Sequence, residues 1–160
     1  MKLEGSCHCG NVKFPLNSRT PYPYRVCYCV RCRKTAGVGP HIMGESETLE
    51  VTGEDHVGVY VTSSNPQPGQ AQAPAELRMS FCRDCGCHLF LHAPVWAGKV
   101  YPWATAVDTE LPRTPETFHI NLDLAAPWVE VPSGTAHRSF DSVPPDSIEE
   151  WHRRHELYED

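Results

Sequence analysis

The sequence predicts a mainly β protein, with antiparallel sheets stapled by metal-binding cysteines, a short helix after the Cys27–Cys32 motif and a second helix near the C-terminal end. Three observations predict it. Fifteen prolines against eleven glycines suit a loop-rich, strand-rich chain rather than a helical bundle. Apolar residues alternate over short runs bounded by turn residues. Seven of the eight cysteines fall into three tight groups: Cys7-x-Cys9, Cys27-x-Cys29-x-x-Cys32 and Cys82-x-x-Cys85.

A chain of 160 residues is long enough for one domain with a real core. We divide it into a zinc-binding β domain over 1–132 and a C-terminal extension with a helix, 133–160, packed on the same domain. The formal charge of −6 argues against a general nucleic-acid or anionic-membrane surface, since both need a basic face. No apolar run approaches the roughly 20 residues that span a bilayer. The start, Met1 to Cys7, has no apolar signal core, so the expected location is cytoplasmic. Disulfides rarely persist there, and clustered cysteines then read as metal ligands or catalytic thiols.

In chain order, Leu3 to Cys9 reads as a short strand entering a tight turn closed by Gly10. Asn11 to Leu16 alternates with Val12, Phe14 and Leu16 on one face, a second strand. Tyr24 to Cys29 is a third: Tyr24, Val26 and Tyr28 share one face, and Arg25, Cys27 and Cys29 the other. Val30 to Ala36 suits a turn or two of helix stopped by Gly37. Two short strands are expected around Gly44-Glu45 within Val38–Val51, and another from His56 to Thr62. Ser63 to Ala75, rich in Pro, Gln and Ala, reads as a surface loop. Glu76 to Phe81 is a strand leading into the turn Cys82-Arg83-Asp84-Cys85-Gly86, where Gly86 permits positive φ. His88 to Ala93, Lys99 to Val107, Thr117 to Leu122 and Trp128 to Val131 complete the strands. Pro144-Pro145-Asp146 starts the last helix, with Asp146 as cap and Glu149 in the capping-box position. Ile148, Trp151, His155 and Tyr158 share a face, and Glu149–Arg153 and Glu150–Arg154 are favourable pairs on the outer side.

Zinc prefers four ligands in a structural site. Cys7, Cys9, Cys82 and Cys85 together make a closed set of four thiolates. Cys27, Cys29 and Cys32 make a second site with one position open, which marks a working site. Another partition joins Cys29 and Cys32 to Cys82 and Cys85 as in a zinc ribbon, and strands Cys7, Cys9 and Cys27. A strand running into a helix N-terminus suits thiolates, and Arg31, Arg33 and Lys34 add positive charge beside the trio.

Gly5-Ser6-Cys7-His8-Cys9-Gly10, then Cys27-x-Cys29-x-x-Cys32-Arg33-Lys34, then Phe81-Cys82-x-x-Cys85-Gly86, resemble the glutathione-dependent formaldehyde-activating enzyme family, whose domain the centromere protein V group shares. The resemblance runs from about Leu3 to Val131, and the order of the three motifs is highly specific. It implies a zinc-stapled β-tent fold, structural zinc on Cys7, Cys9, Cys82 and Cys85, and catalytic zinc on Cys27, Cys29 and Cys32. It also implies glutathione as co-substrate. One departure is Cys87, where the family commonly has a small polar residue. Cys87 reads as a buried small side chain, or more sharply as a substitute ligand or redox partner for the trio.

An open zinc held by three strongly donating thiolates suits delivery of a thiolate better than hydroxide chemistry. The expected partners are therefore a small thiol and an aldehyde, joined as a hemithioacetal; for glutathione and formaldehyde that is S-hydroxymethylglutathione, carbon–sulfur lyase-type chemistry. His41 is the candidate acid or base, and Arg31, Arg33 and Lys34 are the candidates for glutathione carboxylates. His8 is expected at the surface, His119 packed with Trp128, and His152 and His155 on the helix surface and face. The rival readings are a zinc-stabilised binding module without turnover, and an enzyme of the same chemistry that uses a different thiol or small electrophile.

Overall fold

The computed structural model describes residues 1–62 and 76–158. The segment read as a surface loop, Ser63 to Ala75, lies outside the described residues. Eleven strands form among the described residues. Lys2–Leu3 (β1) pairs antiparallel with Leu16–Asn17 (β2). A five-stranded antiparallel sheet has the order Gly44–Glu45 (β5), Lys99–Pro102 (β9), His88–His92 (β8), Arg78–Cys82 (β7) and Val57–Val61 (β6). A four-stranded sheet has the order His137–Ser139 (β11), Thr117–Ile120 (β10), Tyr24–Cys27 (β3) and Pro40–His41 (β4). In it β10 runs parallel to both β11 and β3, the exceptions to an otherwise antiparallel architecture. The fold is mainly β with two helices, Val30–Ala36 (α1) and Ile148–Arg154 (α2), as expected. No helix of the described residues is long and apolar enough to cross a membrane.

The core lies where the sheets face one another. Alternation buries Val12, Phe14 and Leu16 as predicted, although only Leu16 enters a strand and Lys13 makes isolated bridges to Ser6 and Thr52. Phe14 meets Phe90 of β8 edge to face, with ring centroids 5.5 Å apart, a contact worth about 0.5–1.5 kcal/mol beyond burial. Leu89 and Leu91 are buried on β8, and so is Phe90 between them, because β8 is an inner strand covered on both faces.

Several expectations are corrected. Gly44-Glu45 is itself a strand paired with β9, rather than the turn between two strands. The strand expected over Lys99–Val107 stops at Pro102 and becomes a 3₁₀ turn at Ala104–Ala106, and the one from Thr117 stops at Ile120. Trp128 to Val131 is no strand: Pro127 and Trp128 make a turn in which the Val129 N–H donates to the Ala126 carbonyl, and Trp128 stands 70% exposed. The last strand is instead β11.

Helix α2 starts one residue later than read. Ser147 is the cap: its hydroxyl accepts from the Glu150 N–H at 3.1 Å, and the Glu150 carboxylate accepts from the Ser147 N–H at 2.7 Å. Arg154 pairs with Asp146 while staying close enough to Glu150 to favour its charge, and Glu149–Arg153 forms at 3.1 Å. Ile148 and Trp151 are buried as expected. His152 is buried too, not on the surface, because its Nε2 reaches the Tyr22 carbonyl at 2.6 Å. The Trp151 indole donates to Glu116, just before β10, and Lys99 of β9 reaches Glu149 at 3.2 Å, so the helix is tied to the ends of two strands from different sheets.

Candidate metal centre

Two groups of thiols converge. In the first, the sulfurs of Cys7, Cys9, Cys82 and Cys85 all lie within 4.8 Å of one another. Two small turns bring them together. In one, the Gly10 N–H donates to the Cys7 carbonyl at 3.0 Å; in the other, the Gly86 N–H donates to the Cys82 carbonyl at 2.9 Å. Both glycines hold positive φ, +79° and +72°, where a side chain would be strained. Asp84 ties the turns: it accepts from the Asn11 amide at 2.7 Å and meets His56 at 2.5 Å. The Asn11 hydrogen bond, with His56 beside it, holds the Asp84 carboxyl below its ordinary range.

In the second group the sulfurs of Cys27, Cys29 and Cys32 also lie within 4.8 Å of one another, all three buried. Cys27 ends β3, Cys29 is the extended N-cap of α1 and Cys32 sits in its first turn. Gly37 closes the helix at φ +67°. Among the described residues no fourth Cys, His, Asp or Glu atom joins the trio. Hydrogen bonds from Cys27 and Cys32 draw the Cys29 thiol down to about 2, while the bond to Cys29 pushes Cys27 up to about 11 and the same partners push Cys32 up.

The donor sets fit zinc: soft sulfur ligands suit it, four closing a structural site and three leaving a position open. The zinc-ribbon partition is overturned, because Cys29 and Cys32 lie in one group and Cys82 and Cys85 in the other. Cys87 joins neither group, so the reading of it as a substitute ligand or redox partner for the trio is corrected. It sits half-buried beside the first group, its thiol donating to the His88 carbonyl at 3.6 Å, and burial pushes its thiol up.

Other candidates are placed as follows. His41 in β4 is buried, packed edge-on against Tyr101 and Trp103 at 5.8 and 5.7 Å between ring centroids. Burial, with the Arg25 charge beside it, takes its pKa down to about 3, so its ring is neutral. Arg31 donates to the Thr62 hydroxyl at 3.0 Å, Arg33 is half-buried and Lys34 is exposed. These three cations make no common cluster of hydrogen bonds. His8 is exposed, as expected. His119 does not pack with Trp128; it is buried with Nδ1 2.9 Å from the Tyr28 hydroxyl and Nε2 2.9 Å from His137 Nδ1. His155 stacks on Trp151 at 4.1 Å.

One side chain beside the trio had no signal in the sequence. Asn121 donates from Nδ2 to the Cys27 sulfur at 3.2 Å. The parallel register pairs Ile120 with Cys27, so the residue just after β10 overhangs that sulfur, and a left-handed backbone (φ 58°) turns it inward.

The family described as glutathione-dependent formaldehyde-activating enzyme matches residues 2–121, a span that holds both thiol groups and ends at Asn121. A Halomonas elongata protein whose provisional name is glutathione-dependent formaldehyde-activating enzyme is 41% identical over 159 residues, covering 96% of each chain. A crystal structure of a Rhodobacter sphaeroides protein is similar in fold, with a TM-score of 0.50 and 22% identity, covering 69% of this chain and 92% of that one.

Proposed function

The chain belongs to the glutathione-dependent formaldehyde-activating enzyme family, and from that premise we propose that it joins the thiol of glutathione to formaldehyde, giving S-hydroxymethylglutathione. The observation that carries this reading is the buried trio of Cys27, Cys29 and Cys32, three sulfurs within 4.8 Å with no fourth protein ligand among the described residues. Cys7, Cys9, Cys82 and Cys85 would hold the structural zinc, and the trio the second. When bound at the trio, zinc supplies a Lewis-acidic position that lowers the pKa of an incoming thiol.

The chain's own residues then hold and orient. Asn121 fixes the Cys27 sulfur by its amide, and burial of the trio keeps water from competing with the thiol. In the reaction a carbon–sulfur bond forms between the glutathione sulfur and the aldehyde carbon. The carbonyl π electrons move to oxygen, and the proton lost by the thiol ends on that oxygen. His41, neutral and buried, would not serve as an imidazolium acid. The reverse reaction breaks the same bond, which places the activity with the carbon–sulfur lyases.

Zinc content and a glutathione titration followed by X-ray absorption test the reading. The expected result is two zinc ions per chain, one of which gains a sulfur neighbour as glutathione is added. Two saturated sites that respond to no thiol would overturn it in favour of a zinc-stabilised binding module.

A further inference from the structure

Arg25 lies on β3 two residues before Cys27, so the two side chains emerge on the same face roughly 6.5 Å apart along the strand. Across the ladder its partner is His41 of β4. His41 in turn lies within electrostatic reach of Arg25 on one side and Cys29 on the other. The guanidinium is thus carried on the strand that delivers the trio, one residue pair from the thiols.

Its charge has no counterion among the described residues. Asp146 offers Arg25 only a backbone carbonyl, at 3.5 Å, because its carboxylate is engaged by Arg154. Glu149 is held by Lys99 and Arg153, and Glu116 by Arg138 and the Trp151 indole. Arg25 Nε is buried with no hydrogen-bond partner, and so are His41 Nδ1 and Trp103 Nε1. The last two belong to side chains only 7% and 1% exposed, and Trp103 bridges to His41 in the backbone as well as touching its ring. Unmet polar atoms in a protein interior are costly and uncommon, and Arg25, half-buried as a residue, keeps its Nε among them. Three of them, on β3, on β4 and just after β9, on the strand face that carries Cys27, describe a place where a ligand completes the hydrogen bonding.

We propose that Arg25, flanked by His41 and Trp103, is the subsite for a carboxylate of the thiol substrate, and so the residue that selects an acidic thiol over a neutral one. The inference rests on the thiol-activating reading of the trio. A guanidinium matches a carboxylate with a planar, two-donor fork, and Trp103 adds an N–H donor. Arg31 and Arg33 also keep a buried Nε without a partner, but they stand on α1 rather than on the strand of Cys27, Arg31 donates to Thr62, and Lys34 faces solvent.

The test uses the zinc-loaded protein and three probes: glutathione, the neutral thiol 2-mercaptoethanol, and S-methylglutathione, which keeps the carboxylates but cannot offer a thiolate. Binding of each is measured by calorimetry, and KM by turnover with formaldehyde. Arg25→Met is expected to weaken glutathione and S-methylglutathione by ten- to a hundredfold and leave 2-mercaptoethanol within twofold. Arg25→Lys, which restores charge without the fork, should fall between; zinc content and circular dichroism establish that each variant is folded. An equal loss for all three probes, or no loss for any, overturns the proposal. If S-methylglutathione binds through Arg25 while glutathione leaves the metal coordination unchanged, the carboxylate subsite stands and the thiol-activation reading fails. If glutathione enters the metal coordination with full affinity in Arg25→Met, thiol activation stands and the subsite fails.

Discussion

Asn121 Nδ2 donates to the sulfur of Cys27 over 3.2 Å, joining residues 94 apart in sequence. A hydrogen bond to a ligating sulfur fixes its orientation and spreads its charge, and loss of such partners typically costs ten- to a hundredfold in metal affinity. Asn121→Gly keeps the left-handed backbone and removes only the amide. The expected outcome is a trio that releases zinc to a chelator ten- to a hundredfold more readily, with the first group unaffected. Competition with a chromophoric chelator, counting the two ions separately, checks it.

The two thiol groups should fail differently. Cys29→Ala should reduce zinc from two ions to one and leave the β-sheet circular dichroism intact. Cys82→Ala opens the group that joins the N-terminal turn to the turn after β7, where bound zinc contributes on the order of 10 kcal/mol to folding. Much of the chain should then unfold. Comparable damage from both substitutions, read by zinc content and thermal melts, would refute this division.

Gly5 leaves no room for a methyl group. A Cβ there would stand 2.3 Å from Phe14 Cζ and 2.9 Å from the Ala106 carbonyl oxygen. Gly5→Ala therefore forces Phe14 away from Phe90 and should cost about 1–3 kcal/mol. At this size that lowers Tm by roughly 2–10 °C, measurable by calorimetry.

Glu149 receives Arg153 at 3.1 Å and Lys99 at 3.2 Å, and these bonds hold its carboxyl below the ordinary 4.5. A depressed carboxyl contributes stability above its unfolded value and loses it as pH falls through the folded one. Glu149→Gln should thus be less stable than the parent by about 0.5–1 kcal/mol at pH 7, and the two should converge as pH falls through the depressed value and the carboxyl protonates. Urea midpoints for both proteins across that range measure the difference.

Both thiol groups were legible in the sequence because each half-site is local: a ligand pair two or three residues apart needs only a turn to converge, and Gly10 and Gly86 announce two of the turns. Asn121 was not, because its reach to Cys27 depends on a parallel register that no local pattern encodes. Arg25 could be placed on the face of Cys27 by alternation, but a charged side chain is read as exposed by default, and only the assembled sheets enclose it. Strand β11 is His-Arg-Ser, with no apolar period to reveal it. At α2 both Asp146 and Ser147 are good caps with a Glu three residues on; the packing of Ile148 and Trp151 decided between them.

The spacing of the thiol groups also sets an order in time. The trio is complete once Cys32 has left the ribosome, whereas the group of four waits for Cys85, 53 residues later. At about 5–20 residues per second, that is roughly 3–10 s of synthesis. For that interval a nascent chain carries the full ligand set of its reactive site and only half of its staple. Metal supply during translation, and protection of three adjacent thiols from oxidation, therefore bear on the yield of active protein before the fold exists to shelter them.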